Sequence, residues 1–426
     1  LPRVLFADSP AQVHAICDWQ SVRYAAMGAE SASGAGRSWT RLDGVDLLRG
    51  MAIFFVLMNH VNIRLRLAHI PYTDGIPKGV VQSLVWNGQF GVQIFFAISG
   101  FLIASITLRR WGSLSNVNVR DFYLLRFARI APLLLALLAV LSLFHFAEVK
   151  DFVVQPKTGG LGRALLSALT FHLNVLEAWR GYLPGAWDIL WSLSVEEMFY
   201  LFFPLLARFL GRSKVFVALL LVFVALGPFG RRSFTHGNEI WMEKSYLGGM
   251  DAIALGCLTA LLLSRVRFSR PAARFCGAAG IAFLVWILGF ASRPSLYGID
   301  RIGLEETILA VGTCLVIIAA AQTQWKSPRV LKPLVNLGQR SYEVYLTHMF
   351  VVFAFFDLFV AMGKPMWAVA VLFIATVVVA ALLGHLVASL YSEPMNRKLR
   401  SRWGENRLGT VLDTPGAVPP EGRLAV

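Results

Sequence analysis

Apolar runs of about 20 residues recur along most of this chain, and that recurrence limits its fold more than any other feature. Each run can cross a bilayer core of about 30 Å as a helix rising about 1.5 Å per residue. The runs fall at 45–66, 80–108, 120–147, 187–210, 214–229, 245–264, 273–292, 303–322, 341–362 and 367–392. Only 15% of the 426 residues are charged, against roughly 25% in soluble domains. The pattern predicts an all-α integral membrane protein of about ten transmembrane helices. Residues 41–395 form the membrane domain. A flexible cytoplasmic tail is expected at 1–40, and a basic, disordered cytoplasmic tail at 396–426.

An eleventh candidate, 160–177, is short and carries Arg163, His172, Asn174 and Glu177. Loop charges decide its place. With a cytoplasmic N-terminus and no crossing here, the cytoplasmic loops hold Arg109, Arg110, Arg120, Arg126 and Arg129. They also hold the clusters around Arg208–Lys214, Arg265–Arg274, Lys326–Arg340 and Arg397–Arg402. A crossing would put the last four clusters outside. The positive-inside bias therefore favours both termini in the cytoplasm and a short interfacial or re-entrant helix at 160–177. It also accounts for the net charge of +15 without nucleic acid as a partner, since no soluble basic domain is present. The cysteines, Cys17, Cys257, Cys276 and Cys314, lie far apart in sequence and form neither a disulfide framework nor a metal pattern.

Ionisable residues inside spans are costly and mark chemistry or buried pairing. The first span carries Asp46, Arg49 and His60 on one helix face. Asp46 lies about 21 Å from His60 along the axis and cannot orient that ring. A neutral imidazole can take a proton from a hydroxyl, or can serve as a hydrogen-bonded packing residue. Gly88, Gly91 and Gly100, with Ser99, suit close helix packing. Arg126 and Arg129 share a face at a cytoplasmic edge, where two guanidiniums fit either a phosphorylated ligand or lipid headgroups. Glu196 and Glu197 lie about 100° apart on one helix, so at most one faces the cavity of His60, at a compatible depth. Trp187, Trp191 and Tyr200 fit a sugar site or a membrane interface. Tyr342, Glu343, Tyr345 and His348 open a late span, and His348 is expected at a different depth from His60. His69 and Asp74 have a spacing used by some glycerolipid acyltransferases, but their short outer loop is the wrong side for an acyl-CoA.

In sequence order, D-L-L-R-G at 46–50 with His60 beyond it, GVQIFFAISGFLI at 91–103, LLRFARIAP at 124–132, WSLSVEEMFY at 191–200 and SYEVYLTH at 341–348 resemble acyltransferase family 3, the multispan membrane O-acyltransferases. The resemblance covers about residues 41–395. It departs at D-L-L-R-G, where many relatives have D-G-L-R-G. It implies a membrane-bound enzyme, in a bacterial inner membrane, that moves an acyl group, often acetyl, from acyl-CoA to a hydroxyl of a saccharide-type acceptor. His60 takes the role of the catalytic residue, with Glu196 and Glu197 as the paired glutamates. Arg126 and Arg129 match the donor motif, with Arg49, Tyr342 and His348 as further donor-site candidates. No metal is expected. The competing reading is a multispan transporter, which calls for inverted repeats and broken helices that the sequence does not display.

Overall fold

A computed structural model of the chain describes residues 42–232, 237–290 and 297–403. Apart from turns and short connections these residues are helical. In order the helices are α1 (Asp43–Leu67), α2 (Lys78–Val85), α3 (Gly88–Trp111), α4 (Val119–Phe146), α5 (Gly160–Leu169), α6 (Leu173–Arg180), α7 (Gly185–Asp188), α8 (Leu190–Leu210) and α9 (Lys214–Arg232). Then follow α10 (Glu239–Lys244), α11 (Tyr246–Arg265), α12 (Arg270–Phe290), α13 (Tyr297–Asp300), α14 (Glu305–Thr323), α15 (Lys332–Gln339), α16 (Ser341–Ala361), α17 (Ala368–Val387) and α18 (Glu393–Arg402).

Among the described residues, 10 helical segments are long and apolar enough to cross a membrane, and they coincide with the ten apolar runs. The chain is a multispan membrane protein. On α17 the exposed residues Val371, Ile374, Val378, Leu382 and Leu386 recur every three or four positions. That stripe is apolar where a soluble helix would be polar, as a lipid-facing surface requires.

The segment 160–177 does not form one helix. It breaks into α5 and α6 at a corner where Phe171 adopts a left-handed backbone, φ 57°. The His172 ring holds the corner through the hydroxyls of Ser167 (3.1 Å) and Thr170 (2.6 Å). Helices of 10 and 8 residues reach only about 15 and 12 Å, too short to cross. The segments 1–40 and 404–426 lie outside the described residues. Helix α18, however, continues to Arg402, so residues 396–402 are helical where a disordered tail is expected. Pro394 sits in its first turn, where proline suits a helix start. Its end is tied down by the Phe127 and Trp403 rings, 6.3 Å apart.

Two close approaches set the bundle's geometry. A Cβ at Gly100 would strike the Ile253 carbonyl, and one at Gly256 would strike the Ala97 carbonyl, so α3 and α11 cross nearly backbone to backbone. Gly50 of the D-L-L-R-G segment similarly abuts the Leu334 carbonyl, and Gly338 abuts the Asp46 carbonyl. Short helix α15 thereby lies against the first turns of α1, and this decides where α16 begins.

Candidate active site

Beside that contact, Arg49 Nε donates to Ser341 Oγ at 3.1 Å, and Asp46 pairs with Arg49 at 3.8 Å. Helix α16 therefore starts well inside the start of α1, within reach of the long Arg49 side chain. From that level the two helices climb together and bring His348 against His60, with His348 Nε2 3.3 Å from His60 Nδ1. The ring centroids are 4.9 Å apart. The depth expectation for His348 is corrected: it assumed that both helices start at one surface, whereas α15 pushes the start of α16 inward.

The backbone sets the tautomers of this pair. His348 Nδ1 lies 2.6 Å from the Tyr345 carbonyl oxygen, and His60 Nδ1 lies 2.8 Å from that of Val56. A carbonyl oxygen only accepts, so each Nδ1 carries the proton when the rings are neutral. His348 Nε2 then offers a lone pair to the shared His60 Nδ1–H. His60 Nε2 is left as the basic nitrogen. His348 is fully buried, while His60 is half-buried.

The two glutamates serve a different partner from the one expected. Arg126 Nη2 lies 3.0 Å from Glu196 Oε1 and 2.6 Å from Glu197 Oε1. Although the carboxylates diverge on α8, one guanidinium nitrogen between them reaches both. The Arg126 guanidinium also stacks 3.7 Å over the Tyr200 ring. Ser99 Oγ donates to Glu196 and accepts from the Tyr200 hydroxyl at 2.6 Å. Arg129 Nη1 pairs with Glu343 at 2.9 Å, and Ser392 Oγ donates to the same carboxylate at 2.8 Å. Ser392 closes the π-helical turn Ala388–Ser392, a local widening of the kind that often marks functional positions. The Arg129 guanidinium also lies 5.0 Å from the Tyr342 ring centroid, and the Tyr342 hydroxyl donates to the Ile130 carbonyl at 2.9 Å.

Between this seam and the histidines, the Tyr345 hydroxyl donates to the Ile189 carbonyl at 2.9 Å and contacts Ser192 Oγ at 2.7 Å. Glu343, Tyr345 and His348 thus lie within about 8 Å along α16. Trp187, Trp191 and Tyr200 are buried at 0%, 6% and 2% exposure, so their rings pack inside protein and none marks a membrane interface.

A second cluster joins residues that sequence spacing does not connect. Lys244 Nζ lies 2.9 Å from Glu177 Oε2 and also contacts Asp188. Burial, and then the Asp188 carboxylate, push Glu177 well above the usual carboxylate range. Among the described residues, no group of three His, Cys, Asp or Glu side chains is placed to hold a metal ion.

O-acetyltransferase OatA of Staphylococcus aureus (strain NCTC 8325 / PS 47) is 23% identical over 377 residues, 84% of this chain and 57% of the relative. Peptidoglycan O-acetyltransferase OatA of Listeria monocytogenes serovar 1/2a is 26% identical over 330 residues, 71% of this chain and 48% of the relative. The chain spans about half the length of these curated relatives. No solved structure matches it. The family described as an acyltransferase domain matches residues 42–385, a stretch that holds His60, Arg126, Arg129, Glu196, Glu197 and His348. The chain therefore belongs to acyltransferase family 3, a family of membrane acyltransferases.

Proposed function

We propose that this protein transfers an acyl group, most simply acetyl, from cytoplasmic acyl-CoA to a hydroxyl of a saccharide acceptor, with His60 as general base. The observation that carries this reading is the His60–His348 pair, whose backbone contacts leave His60 Nε2 unprotonated and basic. The positive-inside bias supports a cytoplasmic N-terminus, which puts the start of α1, the Arg129–Glu343 pair and α18 on the donor side. The relatives' names support a peptidoglycan-type acceptor and a bacterial plasma membrane.

His60 Nε2 removes the acceptor hydroxyl proton as the oxygen attacks the thioester carbonyl. The tetrahedral intermediate collapses, the carbon–sulfur bond breaks, and the imidazolium returns its proton to the CoA thiolate. His348 Nε2 accepts from the His60 Nδ1–H throughout and helps to stabilise the imidazolium. The two arginines divide their work. Arg126 faces two carboxylates, so its surroundings carry net negative charge and do not attract phosphate. Arg129 is 34% exposed and faces one carboxylate, so it is the residue for the donor's phosphates. Arg49 and Tyr342 act by positioning α16 and the Arg129 guanidinium.

Calorimetry of acetyl-CoA binding to the purified protein in detergent tests this division. The wild type binds, and Arg129→Ala weakens binding about tenfold or more, the scale of one lost charge-assisted contact. If the wild type binds neither acetyl-CoA nor longer acyl-CoAs, the donor assignment fails and the transporter reading takes its place.

A further inference from the structure

One helical turn beyond His60, at the end of the bundle away from Arg129, a cleft of about 630 Å³ opens. Its volume lies in the range of small-ligand sites, roughly 300–1,000 Å³. On α1, Arg64 lies about 6 Å past His60 and only about 40° around the helix. On α16, Phe353 lies about 7.5 Å past His348. The same two helices that carry the histidines therefore build one wall of the cleft. The α4–α5 connection supplies Glu148, Lys150, Asp151 and Gln155, and the backbone around Pro184–Gly185 closes the other side.

We propose that this cleft is the acceptor subsite and that it takes an uncharged, hydroxyl-rich saccharide. The inference rests on the transferase reading above and names where its second substrate sits. The charges support it. Arg64 and Lys150 balance Glu148 and Asp151, so the cleft has no excess positive charge with which to hold a polyphosphate such as CoA. It does offer paired acceptors and donors for hydroxyls. Arg64 Nη1 and Nη2 grip both Asp151 oxygens at 3.1 and 2.8 Å, while Arg64 Nε is buried without a partner among the described residues. The guanidinium lies 4.9 Å from the Phe353 ring centroid and 5.0 Å from that of Phe356, so its plane is fixed. Phe353 adds an apolar lining against which the C–H face of a sugar ring can pack. Glu148 and Asp151 both hold left-handed backbones, φ 52° and 67°. Such conformations are unfavourable for non-glycine residues and concentrate at functional loops.

The test measures transfer from radiolabelled acetyl-CoA to N-acetylglucosamine and to chitotriose, beside acetyl-CoA affinity and acceptor-free hydrolysis. Val153→Trp fills the cleft from its lining, and Arg64→Ala removes the clamp. The expected result is an acceptor KM raised about tenfold or more in both variants, with acetyl-CoA affinity and hydrolysis unchanged within about twofold. Should Arg64→Ala fail to fold, Val153→Trp alone still decides. Wild-type kinetics in Val153→Trp would overturn the proposal. A wild type that binds and hydrolyses acetyl-CoA but acetylates neither sugar would overturn the ligand class and leave the donor reading standing. A wild type that does not bind acetyl-CoA would overturn both.

Discussion

Arg126 and Arg231 are both arginines inside membrane helices, and both face two carboxylates, yet their bonding differs. Arg231 is 3% exposed and close to saturated. Its Nη atoms grip Asp251 at 3.1 and 2.9 Å, Nη2 reaches Thr307 Oγ1 at 2.5 Å, Nε donates to the Gly303 carbonyl at 2.9 Å, and Nη1 reaches the Gly248 carbonyl. Thr307 in turn donates to Asp251 at 2.6 Å, and Glu306 stands 3.6 Å away. This is a clamp joining α9, α11 and α14, with little capacity left for a ligand. Arg126 is 22% exposed. It reaches both glutamates through one nitrogen, and its Nε is buried without a partner among the described residues. A buried network with spare donors is poised to rearrange, whereas a saturated one holds the fold.

Substitutions sharpen or break that contrast. The largest effect on folding is expected from Arg231→Ala, which strands the fully buried Asp251. We expect a loss of about 3–5 kcal/mol, read as a lower Tm in detergent, with acetyl-CoA affinity retained by the folded fraction. An unchanged Tm would remove the distinction. Arg126→Ala should cost less stability, about 1–3 kcal/mol, because Glu196 keeps Ser99 and some access to water. Its mark is instead a fall in transfer beyond what the folded fraction explains. A Tm loss equal to that of Arg231→Ala, with full activity per folded molecule, would merge the two networks into one structural class. The smallest effect is expected from His348→Gln. Loss of one oriented hydrogen bond, about 1–1.5 kcal/mol, should lower kcat about tenfold and leave acetyl-CoA affinity unchanged. A raised KM for the donor with kcat intact would return His348 to the donor site.

The sequence was most legible where the physics is local. Ten apolar runs became ten long helices because each satisfies its own backbone, and lipid tolerates little else. His60, Arg126 and Glu196 stood out because ionisable groups in spans are costly. The tertiary partners were not legible. The pairing of His348 with His60 depends on the inward start of α16, set by Gly50 and Gly338 contacts from distant segments. The capture of Glu196 and Glu197 by Arg126 depends on how α4 lies against α8. The Lys244–Glu177–Asp188 cluster spans three segments with no common spacing. Residues 160–177 read as one short helix because no proline or internal glycine breaks the stretch after Gly162, and the corner at Phe171 and His172 is made by side-chain bonds that propensity does not report.

The central claim is that His60 Nε2 is the base for acyl transfer. The most direct test is the rate of radiolabelled acetyl transfer to a saccharide by the wild type and by His60→Ala, measured from about pH 5 to pH 8 at saturating acetyl-CoA. The account predicts that the wild-type rate falls towards acid pH, since protonation removes the Nε2 lone pair. It also predicts that His60→Ala binds acetyl-CoA normally and transfers about 10²–10⁴-fold more slowly. Transfer by His60→Ala at the wild-type rate, with the same acid limb, would contradict it.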